Sequence, residues 1–146
     1  MKAKLTLFAI SLLIGGYIAA QSSVQIIDIL VSPTMVVDTI TNLPVDNSGE
    51  NLAVMCKVND LSSVETVRIL FGTIEESGDV LSIDAVVSEN AGTYSLSING
   101  ELTELSNNVI TAYIELSQEQ SEAYNFITMF VVDVSEQGSN HLLFTK

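Results

Sequence analysis

The chain has 146 residues, of which 18 are acidic and 5 basic, giving a formal net charge of −13. A negative field of this size repels phosphate groups, which argues against nucleic acids and anionic lipid surfaces as partners. A single cysteine excludes an intramolecular disulfide, and together with a single histidine it cannot supply the nitrogen and sulfur ligands of a structural zinc site.

Residues 1–20 have the layout of a secretory signal peptide. Lys2 and Lys4 precede an apolar run over residues 5–18, and the small residues Ala19 and Ala20 follow. The run is shorter than the roughly 20 residues that span a bilayer, although an uncleaved N-terminal anchor is the alternative. We therefore predict cleavage near Ala20 and no stable membrane insertion afterwards. The mature chain, residues 21–146, is then secreted across the inner membrane to the periplasm, the cell surface or the medium.

The mature chain is long enough for one domain with a hydrophobic core. Without the two lysines of the leader its net charge is about −15. Residues 24–31 predict a first strand because they are rich in β-branched side chains. Pro33 ends this strand or places it at a sheet edge. A short continuation over residues 35–40 and a loop over residues 41–50 follow.

Residues 51–73 predict the two strands around which the others are arranged. Leu52, Val54, Cys56 and Val58 recur with the period of two that marks a half-buried strand. Residues 66–71 alternate in the same way after a polar turn at 59–63. We interpret Cys56 as a small buried hydrophobic residue and not as a reactive thiol.

Alternation recurs over residues 80–88, 94–98 and 109–116, with polar turns between them. Asn99-Gly100 is a typical two-residue hairpin turn. Such a turn would pair inward-facing Ile98 with Glu101 and Leu96 with Thr103, so a longer loop over residues 99–108 is an equal alternative. We interpret residues 117–122 as a polar connection, because no stretch has a helical period.

Residues 124–134, YNFITMFVVDV, form the longest apolar segment. Apolar side chains on both faces predict a central strand, or a strand with one face covered by a partner. Ile127, Met129 and Val131 share one face and are the candidate partner-binding residues. A turn around Gly138 and a last strand over residues 141–145 complete the chain. Seven to nine short strands separated by turns predict an all-β fold, an antiparallel β-sandwich.

Three segments resemble the immunoglobulin-like and fibronectin type III-like modules of bacterial secreted and cell-surface proteins. They are VNDLSSV at 58–64, AGTYSLSI at 91–98, and Asp133 with the later Gly138 and Asn140, which are more widely spaced than in those modules. The tryptophan and cysteine pair of antibody domains are missing. The resemblance covers most of the mature chain, and it implies an immunoglobulin-like sandwich that binds or spaces more often than it catalyses.

Calcium is the one cofactor that the composition leaves open, because it is bound by carboxylate oxygens in loops. No group of acidic residues has the spacing of a calcium-loop motif, and solvated surface charge is the alternative. The candidate ligands are Asp46, Glu50, Glu75, Glu76 and Asp79, with Asp60 or Asp133 at strand ends.

Three classes of function are consistent with these features. The first is a non-catalytic secreted or cell-surface module for binding or adhesion, with a protein or glycan partner at a sheet face or at the loops. The second is a structural or accessory subunit of a bacterial envelope assembly, which would add a strand at an open sheet edge. An enzyme that uses paired carboxylates is the third; we expect no catalysis, and we expect His141 to be an ordinary exposed strand residue.

Overall fold

The computed structural model describes residues 22–33, 36–37, 44–45 and 50–146. The predicted leader and Asp46 lie outside the described residues. Eleven strands are present in this part of the chain, two of them with only two residues. The strands are β1 (Ile26–Pro33), β2 (Val36–Val37), β3 (Pro44–Val45), β4 (Asn51–Val58), β5 (Val64–Gly72), β6 (Leu81–Asn90), β7 (Thr93–Ile98), β8 (Glu101–Leu105), β9 (Val109–Glu115), β10 (Phe126–Asp133) and β11 (Leu142–Thr145).

Nine of these strands form two antiparallel sheets that pack face to face. The three-stranded sheet has the order β1-β4-β9, and the six-stranded sheet has the order β11-β10-β5-β6-β7-β8. Within the described residues, strands β2 and β3 pair only with each other. The chain crosses between the sheets after β4, through a 3-10 helix (Leu61–Ser63), after β8 and after β9. The prediction of an all-β antiparallel sandwich is confirmed.

The core lies between the sheets and uses the alternating positions that the sequence predicts. Leu52, Val54, Cys56 and Val58 of β4 are buried against the inward face of the six-stranded sheet. From that sheet the fully buried Phe71 meets the ring of Tyr124 edge to face, with the ring centroids 5.2 Å apart. Such a pair adds directional packing to the burial of the two rings.

Strand β10 lies in the interior of its sheet, between β5 and β11. Ile127, Met129 and Val131 each have 0% of their surface exposed, because their face of the strand is the one that the three-stranded sheet covers. The prediction of a central strand is confirmed. The prediction that these three side chains form an exposed patch for a partner is wrong.

Asn99 and Gly100 form a two-residue turn that joins β7 to β8. Their φ angles of 51° and 89° are the positive values that this turn requires. Ile98 pairs with Glu101 and Leu96 with Thr103, so the longer loop over residues 99–108 is wrong. The polar partners are tolerated because β8 is the last strand of its sheet, where an inward-facing side chain still reaches water.

Residues 117–122 are not a plain polar connection, since α1 (Gln118–Ala123) begins there. Ser117 accepts a hydrogen bond from the Gln120 backbone, and the Gln120 side chain accepts one from the Ser117 backbone. This reciprocal capping box stabilises a helix of six residues, which is too short to show a helical period. In the described part of the chain, no helix is long and apolar enough to span a membrane.

Hydrogen bonds join the start of the described chain to its end. The Ser22 hydroxyl donates to Asp133 Oδ2 at 2.6 Å, and the backbone amides of Ser135 and Gln137 donate to Oδ1 of the same carboxylate. These bonds lower the pKa of Asp133, the bond from Ser22 most. The Asn140 side-chain amide accepts from Ile26 N at 2.9 Å and donates to Ile26 O at 3.0 Å. The described chain therefore belongs to the folded domain from Ser22 onward.

Candidate binding groove

A groove of about 640 Å³ lies on one side of the sandwich, between the start of the edge strand β8 at Glu101 and the end of the edge strand β9 at residues 113–115. The groove also reaches the Asn99–Gly100 turn and the start of α1. We call this feature the β8–β9 groove.

The floor of the β8–β9 groove is aliphatic. It consists of Leu81 and Ile83 on β6, Ile98 on β7, and Ile114 and Leu116 on or beside β9. The first three are half-buried although they occupy inward-facing positions. The three-stranded sheet is narrower than the sheet that it covers by three strands, or about 14 Å, so it does not reach far enough to bury these three residues fully.

The backbone of β9 has an open hydrogen-bonding edge beside this floor. Leu116 N donates to Glu50 O and Val58 N donates to Asn108 O, which sets the alternation of the ladder with β4. Residues 110, 112 and 114 therefore bond to β4, while Thr111, Tyr113 and Glu115 turn their N–H and C=O groups to the other side. Among the described residues, β9 forms no ladder with another strand on that side and makes only a single bridge, between Val109 and Ser106.

The rim of the β8–β9 groove is acidic. The exposed residues Glu101 and Glu115 line it, and no basic residue from the described part of the chain does so. Of the basic side chains in the described residues, Lys57 lies beside Val109 at the start of β9, and Arg68 pairs with Asp84 on the outer face of the six-stranded sheet. Lys146 donates to Ser121 O and lies over the Tyr124 ring.

The outer face of the six-stranded sheet carries a second cluster that the sequence did not reveal. The Phe130 ring stacks on the His141 ring at 4.4 Å, and the Arg68 guanidinium lies 5.7 Å from the Phe130 centroid. His141 Nδ1 is 3.1 Å from Glu76 Oε1. Both side chains are exposed, so the contact between His141 and Glu76 lies on the surface. No local motif could predict it, because its members come from distant strands and turns.

The candidate calcium ligands are placed apart or bound within their own turns. Glu50 precedes β4, while Glu75, Glu76 and Asp79 follow β5. Asp79 accepts hydrogen bonds from the Ser77 hydroxyl and from the hydroxyl and backbone N–H of Thr73, which lower its pKa to about 2. Within the described ranges, no three His, Cys, Asp or Glu side chains come together as a metal site would require. A calcium site stays a prediction.

Asp60 and Cys56 have structural roles. The Asp60 carboxylate caps the 3-10 helix by accepting from Ser62 N and from the hydroxyls of Ser62 and Ser63, and these bonds lower its pKa. Cys56 is 2% exposed, and burial raises its thiol pKa to about 12. The interpretation of Cys56 as a buried hydrophobic residue is confirmed.

No protein-family model matches the chain, and its comparison with curated proteins and with solved structures gives no match. The class that the structure defines is the all-β antiparallel sandwich.

Proposed function

We propose that this protein is a non-catalytic binding module, secreted or displayed at the cell surface, that takes a protein partner in the β8–β9 groove. One observation carries the proposal: an aliphatic floor and an open strand edge lie side by side. An open edge offers backbone hydrogen bonds that a protein strand can complete, and a half-buried aliphatic floor gains stability when a partner covers it.

The order of the strands supports the resemblance to immunoglobulin-like modules. If the nine sandwich strands are lettered in chain order as A, B, C, C′, C″, D, E, F and G, the small sheet is A-B-E and the large one is G-F-C-C′-C″-D. In immunoglobulin domains strand D pairs with strand E. Here β8, in the position of strand D, pairs with β7, and this departure leaves the edge of β9 open.

A structural or accessory subunit of an envelope assembly is the second candidate function. The open edge of β9 favours it, because subunits of such assemblies can be joined by strand addition. The two candidates differ in the stoichiometry of the product. A binding module forms one complex with its partner, whereas an assembly subunit forms a series of larger products.

Site-specific photo-crosslinking in the cells that make the protein tests the proposal. A photoreactive amino acid replaces Tyr113, which is 60% exposed beside the groove, and in a matched control it replaces Val134, which is 68% exposed. We expect a discrete crosslinked product from position 113 and none from position 134. A ladder of products from position 113 would favour the assembly subunit, and equal products from both positions would refute the proposal.

A further inference from the structure

We infer that the β8–β9 groove binds an extended peptide strand in which apolar residues alternate with lysine or arginine. This inference rests on the proposed function and specifies the chemistry of the partner at the same groove. Three features of the groove support it, which are the backbone edge, the floor and the charge of the rim.

The backbone edge fixes the conformation of the partner. Thr111, Tyr113 and Glu115 direct their N–H and C=O groups to the same side of β9, at every second residue. Only an extended chain presents complementary groups at this repeat, about 6.8 Å for two residues. A helix satisfies its own backbone and cannot complete this edge.

The floor fixes the apolar positions of the partner. A strand paired with β9 directs alternate side chains to the inside of the sandwich. On that side they meet Leu81, Ile83 and Ile98, which are half-buried in the absence of a partner. Apolar residues at every second position would cover these three side chains and bury them further.

The rim fixes the charge of the remaining positions. Glu115 is exposed on the outer face of β9 beside the groove, and the mature chain has a net charge of about −15. A second copy of the chain would bring the same negative charge to the interface, and its own β9 carries Glu115. Complementary charge therefore selects a basic partner strand over self-association.

The test uses synthetic seven-residue peptides, the length of β9, added to residues 21–146. One peptide alternates valine with lysine, a second replaces each lysine by glutamate, and a third is the lysine peptide with N-methyl groups on alternate backbone amides. We expect the lysine peptide to bind about tenfold or more tightly than the other two. It should also slow hydrogen exchange at the Tyr113 amide, which shows where it binds.

Tyr113→Pro is the variant that tests the edge, and Tyr113→Ala is its matched control. The proline removes an N–H that points away from β4, so the ladder between β4 and β9 is kept, as proline at a sheet edge allows. We expect Tyr113→Pro to bind the lysine peptide about tenfold more weakly than Tyr113→Ala. If Tyr113→Pro does not fold, the N-methylated peptide tests the same hydrogen bonds from the other side.

Several results would overturn the inference. Equal binding of the lysine and glutamate peptides would refute the basic partner, and undiminished binding of the N-methylated peptide would refute strand pairing. A dimer in sedimentation measurements that Tyr113→Pro dissociates would assign the edge to a second copy. A crosslinked partner at position 113 without binding of the lysine peptide would overturn this inference while keeping the proposed function.

Discussion

Replacing Ile127 by alanine tests the central position of β10 and the burial of its inner face. The side chain is 0% exposed, and the substitution removes three carbons. At about 0.8 kcal/mol for each buried carbon the transfer cost is about 2.4 kcal/mol, and the cavity left behind raises the loss of unfolding free energy to about 3–4 kcal/mol. With a urea m-value of about 2 kcal/mol/M, the midpoint of unfolding should fall by about 2 M. Far-UV circular dichroism of residues 21–146 follows the transition.

Ile74→Ala is the matched control, because it makes the same chemical change at a side chain that is 66% exposed. We expect its unfolding free energy to stay within about 0.5 kcal/mol of the wild-type value. Equal losses of unfolding free energy at the two positions would refute the burial of the inner face of β10. A change at Ile127 below about 0.5 kcal/mol would restore Ile127, Met129 and Val131 as a candidate surface for a partner.

Three further predictions concern a close contact, a thiol and a carboxylate. Gly72→Ala should lower the unfolding free energy by about 1–3 kcal/mol, because a Cβ would collide with Ser77 O and lie 2.7 Å from Ile74 O; a wild-type urea midpoint would contradict this. The Cys56 thiol should resist a disulfide reagent in the native state and react in urea, since burial raises its pKa to about 12; rapid native labelling would contradict this. The folded-state pKa of Asp79, about 2, lies below its unfolded value of about 3.9, so its contribution is complete above pH 4 and is lost as pH falls towards 2. Asp79→Asn should flatten this part of the pH profile of urea unfolding, and an unchanged slope would contradict the assignment.

The strands could be predicted because alternation is a local property of the sequence. Successive side chains of a strand point to opposite faces of the sheet. Leu52, Val54 and Cys56 stand at every second position, so all three face the core. Which strands become neighbours is not local. The burial of Ile127 depends on the three-stranded sheet that covers it. The two-residue turn at Asn99 pairs apolar with polar side chains, which is tolerated only because β8 is an edge strand.

The β8–β9 groove could not be predicted for the same physical reason. In the sequence Leu81, Ile98 and Ile114 resemble any other inward-facing residues of half-buried strands. They become the floor of a groove because the two sheets differ in width and because β8 pairs with β7 instead of β9. The sequence indicates that the acidic residues of the turns are candidate calcium ligands. It does not indicate the hydrogen bonds that hold the carboxylates of Asp79 and Asp60 within their own turns.

The bonds from Ser22 to Asp133 and from Ile26 to Asn140 join residues 111 and 114 positions apart. A chain that is made or exported from its N-terminus therefore holds its first strand without its last partners until nearly the whole sequence is available. Closing so long a loop costs conformational entropy before any contact repays it, and folds dominated by distant contacts form slowly. We expect this domain to acquire its native state in one late step, after the C-terminal strands are free to move, and not progressively as the chain emerges.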